Sequence, residues 1–234
     1  MQRCVLFSKQ ICALESTDAS RVFGEICIRP GITREPQDIL AAEAAFNTLI
    51  NNLWPGEHLQ HTREAAAYLD DEVTLALLVS PTRLESADDP TQIPRYSNDR
   101  VLTLGERKSL ASVPSRGTLE KAMMDPHPDV ARKLLDNPRL TEIDVVRIAA
   151  KSTMAPLVLC EIAAHPKWRR QPIVQKALVH NRLLPADFGL TLLPFLEKRV
   201  LHDVSRDARL DDTIQHAAGV LLAAIESARQ RFRQ

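Results

Sequence analysis

Aromatic residues make up only 4% of this 234-residue chain, and glycine is scarcer than proline, at 7 against 15. Strands draw on aromatic and β-branched side chains, whereas leucine and alanine, plentiful here, favour helices. The balance points to an all-α protein punctuated by proline. Long apolar runs are also missing. The longest, Leu75–Val79 and Ala217–Ile225, fall well short of the roughly 20 residues a membrane-spanning helix needs. The four cysteines, Cys4, Cys12, Cys27 and Cys160, include no Cys-x-x-Cys pair and are too few and irregular for a disulfide framework. No apolar leader with a small-residue cleavage site follows Arg3 and Lys9. Reduced thiols and a cytoplasmic location are the expectation. There is no Gly-rich phosphate loop, no Gly-x-Ser-x-Gly elbow and no His-Glu-x-x-His, so neither an enzyme nor a cofactor is expected.

Charge is absent in sum but not in distribution. The formal net charge is zero, yet residues 1–100 carry 9 Lys+Arg against 15 Asp+Glu, and residues 101–234 carry 21 against 15. This asymmetry is satisfied by contact within one molecule, by self-association of copies, or by an anionic partner for the basic half.

What the chain does contain is a phrase written twice. DPHPDVARKLLDNP spans Asp125–Pro138, and HPKWRRQPIVQKALVHN spans His165–Asn181. Each has a turn dipeptide, a short apolar helix (Val130, Leu134, Leu135; Ile173, Val174, Ala177, Leu178) and a second turn signal. A fainter copy runs over Asp203–Leu222. Repetition at 20 to 50 residues predicts stacked helical units that bury their apolar faces only against one another.

The rest divides readily. Residues 1–32 fit either short strands or poorly patterned helices, closed by a turn at Pro30-Gly31. A helix is predicted from Pro36 to Leu53, a second from Glu57 to Leu69, and a short apolar stretch over Val73–Val79 capped by Asp70 or Asp71. Residues 1–80 thus form a mostly helical N-terminal region. Residues 81–101, with three prolines and no period, form a linker. A repeat domain fills 102–234, with the long helix near Asp211–Phe232 as its cap.

The stretch DPHPDVARKLLDNPRLTEIDVVRIAA resembles the HEAT-like and leucine-rich-repeat-variant units of bacterial helical-repeat proteins, which alternate short helices with Asp-Pro or Asn-Pro turns. The resemblance covers roughly 104–225 and implies a short α-solenoid of HEAT-like repeats serving as a binding scaffold. Some leucine-rich-repeat-variant proteins carry an N-terminal iron–sulfur cluster. Here Cys4, Cys12 and Cys27 are separated by seven and fourteen residues, unlike the close spacing such clusters use, and none is expected.

Among candidate sites, His58 and His61 flanked by Glu57 and Glu64 offer two metal ligands without a third, and read as a solvated helix face. Cys160, between Leu159 and Ile162, reads as core. The candidate contact residues are Lys167, Trp168, Arg169 and Arg170. Trp and Arg concentrate at the energetic centres of interfaces, and the same tetrapeptide suits stacking on bases beside phosphates. The plainer alternative is an inter-helix turn whose Trp covers the next repeat. Another protein is the expected partner, with nucleic acid second and no membrane.

Overall fold

The structure is a computed structural model describing residues 2–79, 94, 96 and 100–231. Among the described residues there are fourteen α-helices and no strand, as the composition implies. In the N-terminal stretch these are α1 (Gln2–Cys12), α2 (Ser16–Ile32), α3 (Pro36–Ile50), α4 (Gly56–Tyr68) and α5 (Glu72–Leu77). The repeats contain α6 (Leu104–Ser112), α7 (Arg116–Ala122), α8 (Pro128–Leu135), α9 (Glu142–Ala149), α10 (Pro156–Ala164) and α11 (Pro172–Val179). Then come α12 (Ala186–Leu190), α13 (Lys198–Arg206) and α14 (Asp212–Arg231), with 3₁₀ turns at Trp168–Arg170 and Leu193–Phe195. None of the described helices is long and apolar enough to cross a membrane. Most of the linker expected over 81–101 lies outside the described residues.

Two compact units divide the chain: Met1–Thr82 with Ala186–Gln234, and Arg83–Pro185. The expected single repeat domain over 102–234 is therefore split, because its last helices belong with the N-terminal ones. In this first unit α2 is central, packed on α3, α4, α5 and α14. Four of the six phenylalanines and one tryptophan meet here edge to face: Phe23 lies 5.7 Å from both Phe46 and Trp54, Phe7 lies 6.3 Å from Trp54, and Phe195 lies 6.3 Å from Phe46. Pairs in this geometry contribute beyond the area they bury.

Residues 2–32 form the two helices α1 and α2 joined by a turn over 13–15, and Pro30-Gly31 lies inside α2 rather than in a turn. The buried face of α2 is Ala19, Ser20, Phe23, Gly24, Cys27, Pro30 and Gly31. Its spacing is helical, but small side chains write it, so little apolar period shows. Their smallness is what the packing needs. A Cβ on Gly31 would stand 2.3 Å from Ile225 Cδ1 and 2.9 Å from its Cγ1, so α14 seats only because that carbon is missing. The Gly31 carbonyl, in the last turn of α2 and without a helical partner, accepts from the Arg229 guanidinium at 2.6 Å. Gly24 similarly leaves room for Asp71, which caps α5 through the Thr74 N–H at 3.0 Å and accepts from Ser20 Oγ at 2.9 Å.

In the second unit helices start at Pro128, Glu142, Pro156 and Pro172, a spacing finer than the doubled phrase. Each buries the same register: Val130, Ala131, Leu134, Leu135 in α8; Asp144, Val145, Ile148, Ala149 in α9; Val158, Leu159, Ile162, Ala163 in α10; Val174, Gln175, Leu178, Val179 in α11. Helix α8 packs between α6 and α10, and α9 packs on α11. Two asparagines set these alignments. Asn137, just past α8, donates to the carbonyls of Ala111 and Val113 at the end of α6, at 2.8 and 3.1 Å. Asn181, just past α11, donates to those of Ala149 and Lys151 at the end of α9, at 2.6 and 3.1 Å. C-terminus thus meets C-terminus, and the joined helices run parallel. The oxygen of each amide accepts the N–H two residues on, closing the turn at 3.0 Å in both copies. The faint third copy repeats only that turn, with Asp207 accepting from the Arg209 N–H at 3.2 Å. A carboxylate has no N–H with which to join a neighbour.

Two charged contacts tie turns to helices. Arg107, at a buried position of α6, donates to both oxygens of Asp125 at 2.8 and 2.9 Å, and Tyr96 Oη donates to the same carboxylate at 2.8 Å. Tyr96, expected in an unstructured linker, is buried. Its phenol is pushed above its ordinary range, first by burial and then by the Asp125 charge. In α9, Asp144 accepts from the Thr141 hydroxyl in a capping box and takes both ends of the Arg116 guanidinium at 2.8 Å.

Two measurements check this packing. Gly31→Val should lower the unfolding free energy by about 1–3 kcal/mol through overpacking. Ile225→Ala in the same chain should return part of that loss, whereas strictly additive urea midpoints would mean the two residues do not meet. Asp144 is held below the usual carboxylate range by the Arg116 hydrogen bonds first and the Thr141 bonds after them. A depressed native pKa gives stability that is complete above the unfolded value, about 3.9, and is lost as pH falls through the native one. Asp144→Asn should therefore be less stable than wild type at neutral pH, and the difference should shrink steadily below about pH 4. A difference constant down to pH 2 would remove Asp144 from the acid response.

Candidate interaction surface

The tetrapeptide singled out in the sequence lies between α10 and α11, mostly turned inward. Trp168 is 2% exposed and its Nε1–H donates to the Leu135 carbonyl at 2.8 Å, the last residue of α8. Arg169 is 3% exposed, and its backbone carbonyl accepts from Gln175 Nε2 at 2.7 Å. Lys167 and Arg170 are exposed, with the Lys167 ammonium 3.9 Å above the Trp168 ring. Trp168 thus joins its turn to the end of α8, whose last carbonyls need a donor, and Arg169 is buried beside it.

The histidines have local employment. His58 accepts the Trp54 Nε1–H at Nδ1, 3.0 Å away, and its Nε2 lies 3.3 Å from the Leu14 carbonyl. His127 and His165 each accept, at Nδ1, the N–H two residues on, at 3.1 and 3.3 Å. Among the described residues no three His, Cys, Asp or Glu side chains group as metal ligands.

Residues 100–185 carry 15 Lys+Arg against 8 Asp+Glu. Seven of those carboxylates already face a cation or His165; the exception is Glu142. The pairing is uneven across the unit. Along α6, α8 and α10 charges alternate and close on each other: Lys108 to Asp129 at 3.1 Å, Asp129 to Arg132 at 3.1 Å, and Arg132 Nε to Glu161 at 3.0 Å. A cleft of about 370 Å³ lies beside this chain, lined by Leu104, Gly105, Lys108, Ser109, Ser112 and Lys133. It is open to solvent, and Lys108 within it is already engaged.

The outer face of α9 and α11 differs. With +2, +3, +6 and +7 from each helix start buried, +1, +4 and +5 point outward. In α9 these are Ile143, Val146 and Arg147; in α11 they are Ile173, Lys176 and Ala177. Ile143 is 66% exposed and Ile173 is 59% exposed, at the same register of two parallel neighbours. Arg147 and Lys176 stand one turn further on, both exposed, and neither forms an ion pair among the described residues. Two exposed isoleucines thus lie beside two exposed cations that form no ion pair among the described residues.

Sequence reasoning counted Ile143 and Ile173 among the apolar helix residues and so passed over them. The available signal was phase: both lie one position before the buried set. In α9 that set begins with Asp144, which disguised the register.

The chain matches no family model, no curated protein and no solved structure.

Trp168→Ala should cost about 3–5 kcal/mol in urea unfolding, as for other buried large-to-small changes. Lys167→Ala and Arg170→Ala should each stay within about 0.5 kcal/mol, the usual surface range. A Trp168→Ala protein unfolding at the wild-type midpoint would return the indole to the surface.

Proposed function

We propose that this protein is a non-catalytic interaction module, an adaptor or scaffold. In this reading residues 104–185 form a short α-solenoid of HEAT-like units, and the outer face of α9 and α11 holds a partner protein. The observation that carries it is the coincidence of Ile143 and Ile173 at one register beside Arg147 and Lys176, where α6, α8 and α10 expose no large apolar side chain among the described residues. Parallel helices joined end to end support the solenoid, since each helix is too short to persist unless stacked. Three buried thiols and one half-buried thiol, none in a disulfide, support a reducing, cytoplasmic setting.

The test compares tagged full-length protein with the Ile143→Glu/Ile173→Glu variant in capture from its native lysate after nuclease treatment. The wild type should retain a stoichiometric protein band. The variant should lose at least about 90% of it at an unchanged melting temperature, since central apolar anchors carry most of an interface's energy. A band captured equally by both would place the interface elsewhere. Nucleic acid recovered without nuclease and shed steeply with salt would replace the protein reading with a nucleic-acid one.

A further inference from the structure

We infer that the segment docking on α9 and α11 is an acidic amphipathic helix of another protein, an inference that rests on the interaction-module reading. Spacing and charge both lead there.

The Asn181 bonds bring the C-terminal ends of α9 and α11 together, and Ile143 and Ile173 each stand six residues before the end of their helix, on packed neighbours. Packed helices sit about 8–10 Å apart. A helix crossing both presents residues seven positions apart on one face about 10 Å apart. An extended strand presents same-face residues at about 6.6 or 13 Å and fits less well. Two apolar side chains at i and i+7 of a crossing helix therefore reach both isoleucines.

Arg147 and Lys176 lie one turn nearer the C-terminal ends, along one flank of such a helix. With seven of the eight carboxylates of residues 100–185 already engaged, the chain supplies them no partner among the described residues. Glutamates or aspartates on that flank of the incoming helix complete the pairing. A second copy docking the same face would set cation against cation, which disfavours a symmetric self-contact.

The probe is a fluorescein-labelled peptide of about fifteen residues, long enough for helix formation on contact, with leucines seven apart and glutamates along one flank. Polarisation is read with the full-length chain at physiological salt. The glutamate peptide should bind saturably, and its lysine-substituted version at least about tenfold more weakly. A central proline, which breaks the helix, should cost a similar factor. Ile143→Glu/Ile173→Glu should weaken the glutamate peptide by about tenfold or more. Arg147→Glu/Lys176→Glu should reverse the preference toward the lysine peptide, while Lys133→Glu, on the α8 side, leaves it unchanged. Circular dichroism confirms that each variant is folded.

Failure of the glutamate peptide to saturate by about 1 mM, the threshold of measurable affinity, overturns the inference. So does equal binding of the two charge versions or of the proline peptide, or an oligomer that the isoleucine variant dissociates. Tighter binding of a duplex DNA, falling steeply with salt, also overturns it in favour of polyanion binding. If peptides fail while lysate capture still depends on Ile143 and Ile173, the partner chemistry is wrong and the module reading stands. If both fail, both fall.

Discussion

Carbonyl groups at helix ends govern residues 100–185. An α-helix leaves its last four carbonyls without partners, and in helices of seven to nine residues those are close to half of all it has. Here a side-chain N–H from a later turn answers them: Asn137 for α6, Asn181 for α9, Trp168 for α8. Each such contact locks which helix lies beside which, in which direction and at what level. Leaving one buried group unmet costs about 1–3 kcal/mol, a large share of a domain's net stability. Helix register follows from these contacts, and the outward residues follow from register.

Buried charge adds a second constraint. Arg107 occupies the place that Ala131 fills in α8 and Leu159 in α10, and is tolerable there because Asp125 meets it twice and Tyr96 completes the carboxylate's shell. Breaking such a pair is far costlier than never having built it, because one uncompensated ion is left in the interior. The pair therefore holds Tyr96 against the unit. Arg116 and Asp144 do the same nearer the surface, spending a carboxylate of α9 inward. That inward use leaves the outer face of α9 with Arg147 unopposed, so the constraint that fixes the fold also sets the electrostatics of its surface.

Much of the helical pattern could be read without coordinates, where proline and cap residues mark it. Pro36, Pro128, Pro156 and Pro172 each open a helix, and Thr141 caps α9. What escaped reading did so for physical reasons. In α2 the buried stripe, Phe23 apart, consists of Ala, Ser, Gly, Cys and Pro, which carry no strong apolar signal, and its proline sits where a helix continues past it. The place of α14 depends on a missing methyl at Gly31, some two hundred residues away, and no local pattern encodes that. Trp168 read from sequence either as a contact residue or as a turn Trp covering the next repeat. The same donor N–H and large ring suit a buried joint equally well, and only the three-dimensional neighbours decide. Three residues with positive φ, Arg34, Asn52 and Asp70, follow helices α2, α3 and α4, where glycine is commoner. The scarcity of glycine therefore did not mark a scarcity of turns.

Exposed isoleucines are not in themselves unusual, since apolar atoms make up over half of most protein surfaces. The case for Ile143 and Ile173 rests on coincidence of place. Solvent places no demand for a branched apolar side chain at +1, where the same helical position in α8 holds Asp129 and in α7 Gly117. The two isoleucines fall on neighbouring helices rather than at random, and the nearest outward cations on each lack a carboxylate among the described residues. Across α6, α8 and α10, Lys108, Asp129, Arg132 and Glu161 pair with one another while Lys133 forms no ion pair, but among the described residues no large apolar side chain of these helices is exposed. Among the described residues the chain thus carries one row of helices without exposed large apolar side chains and another whose unpaired cations are interleaved with exposed isoleucines. Exposed apolar surface beside cations is what contact with a partner would bury, and it is the reason the α9–α11 face is the one proposed.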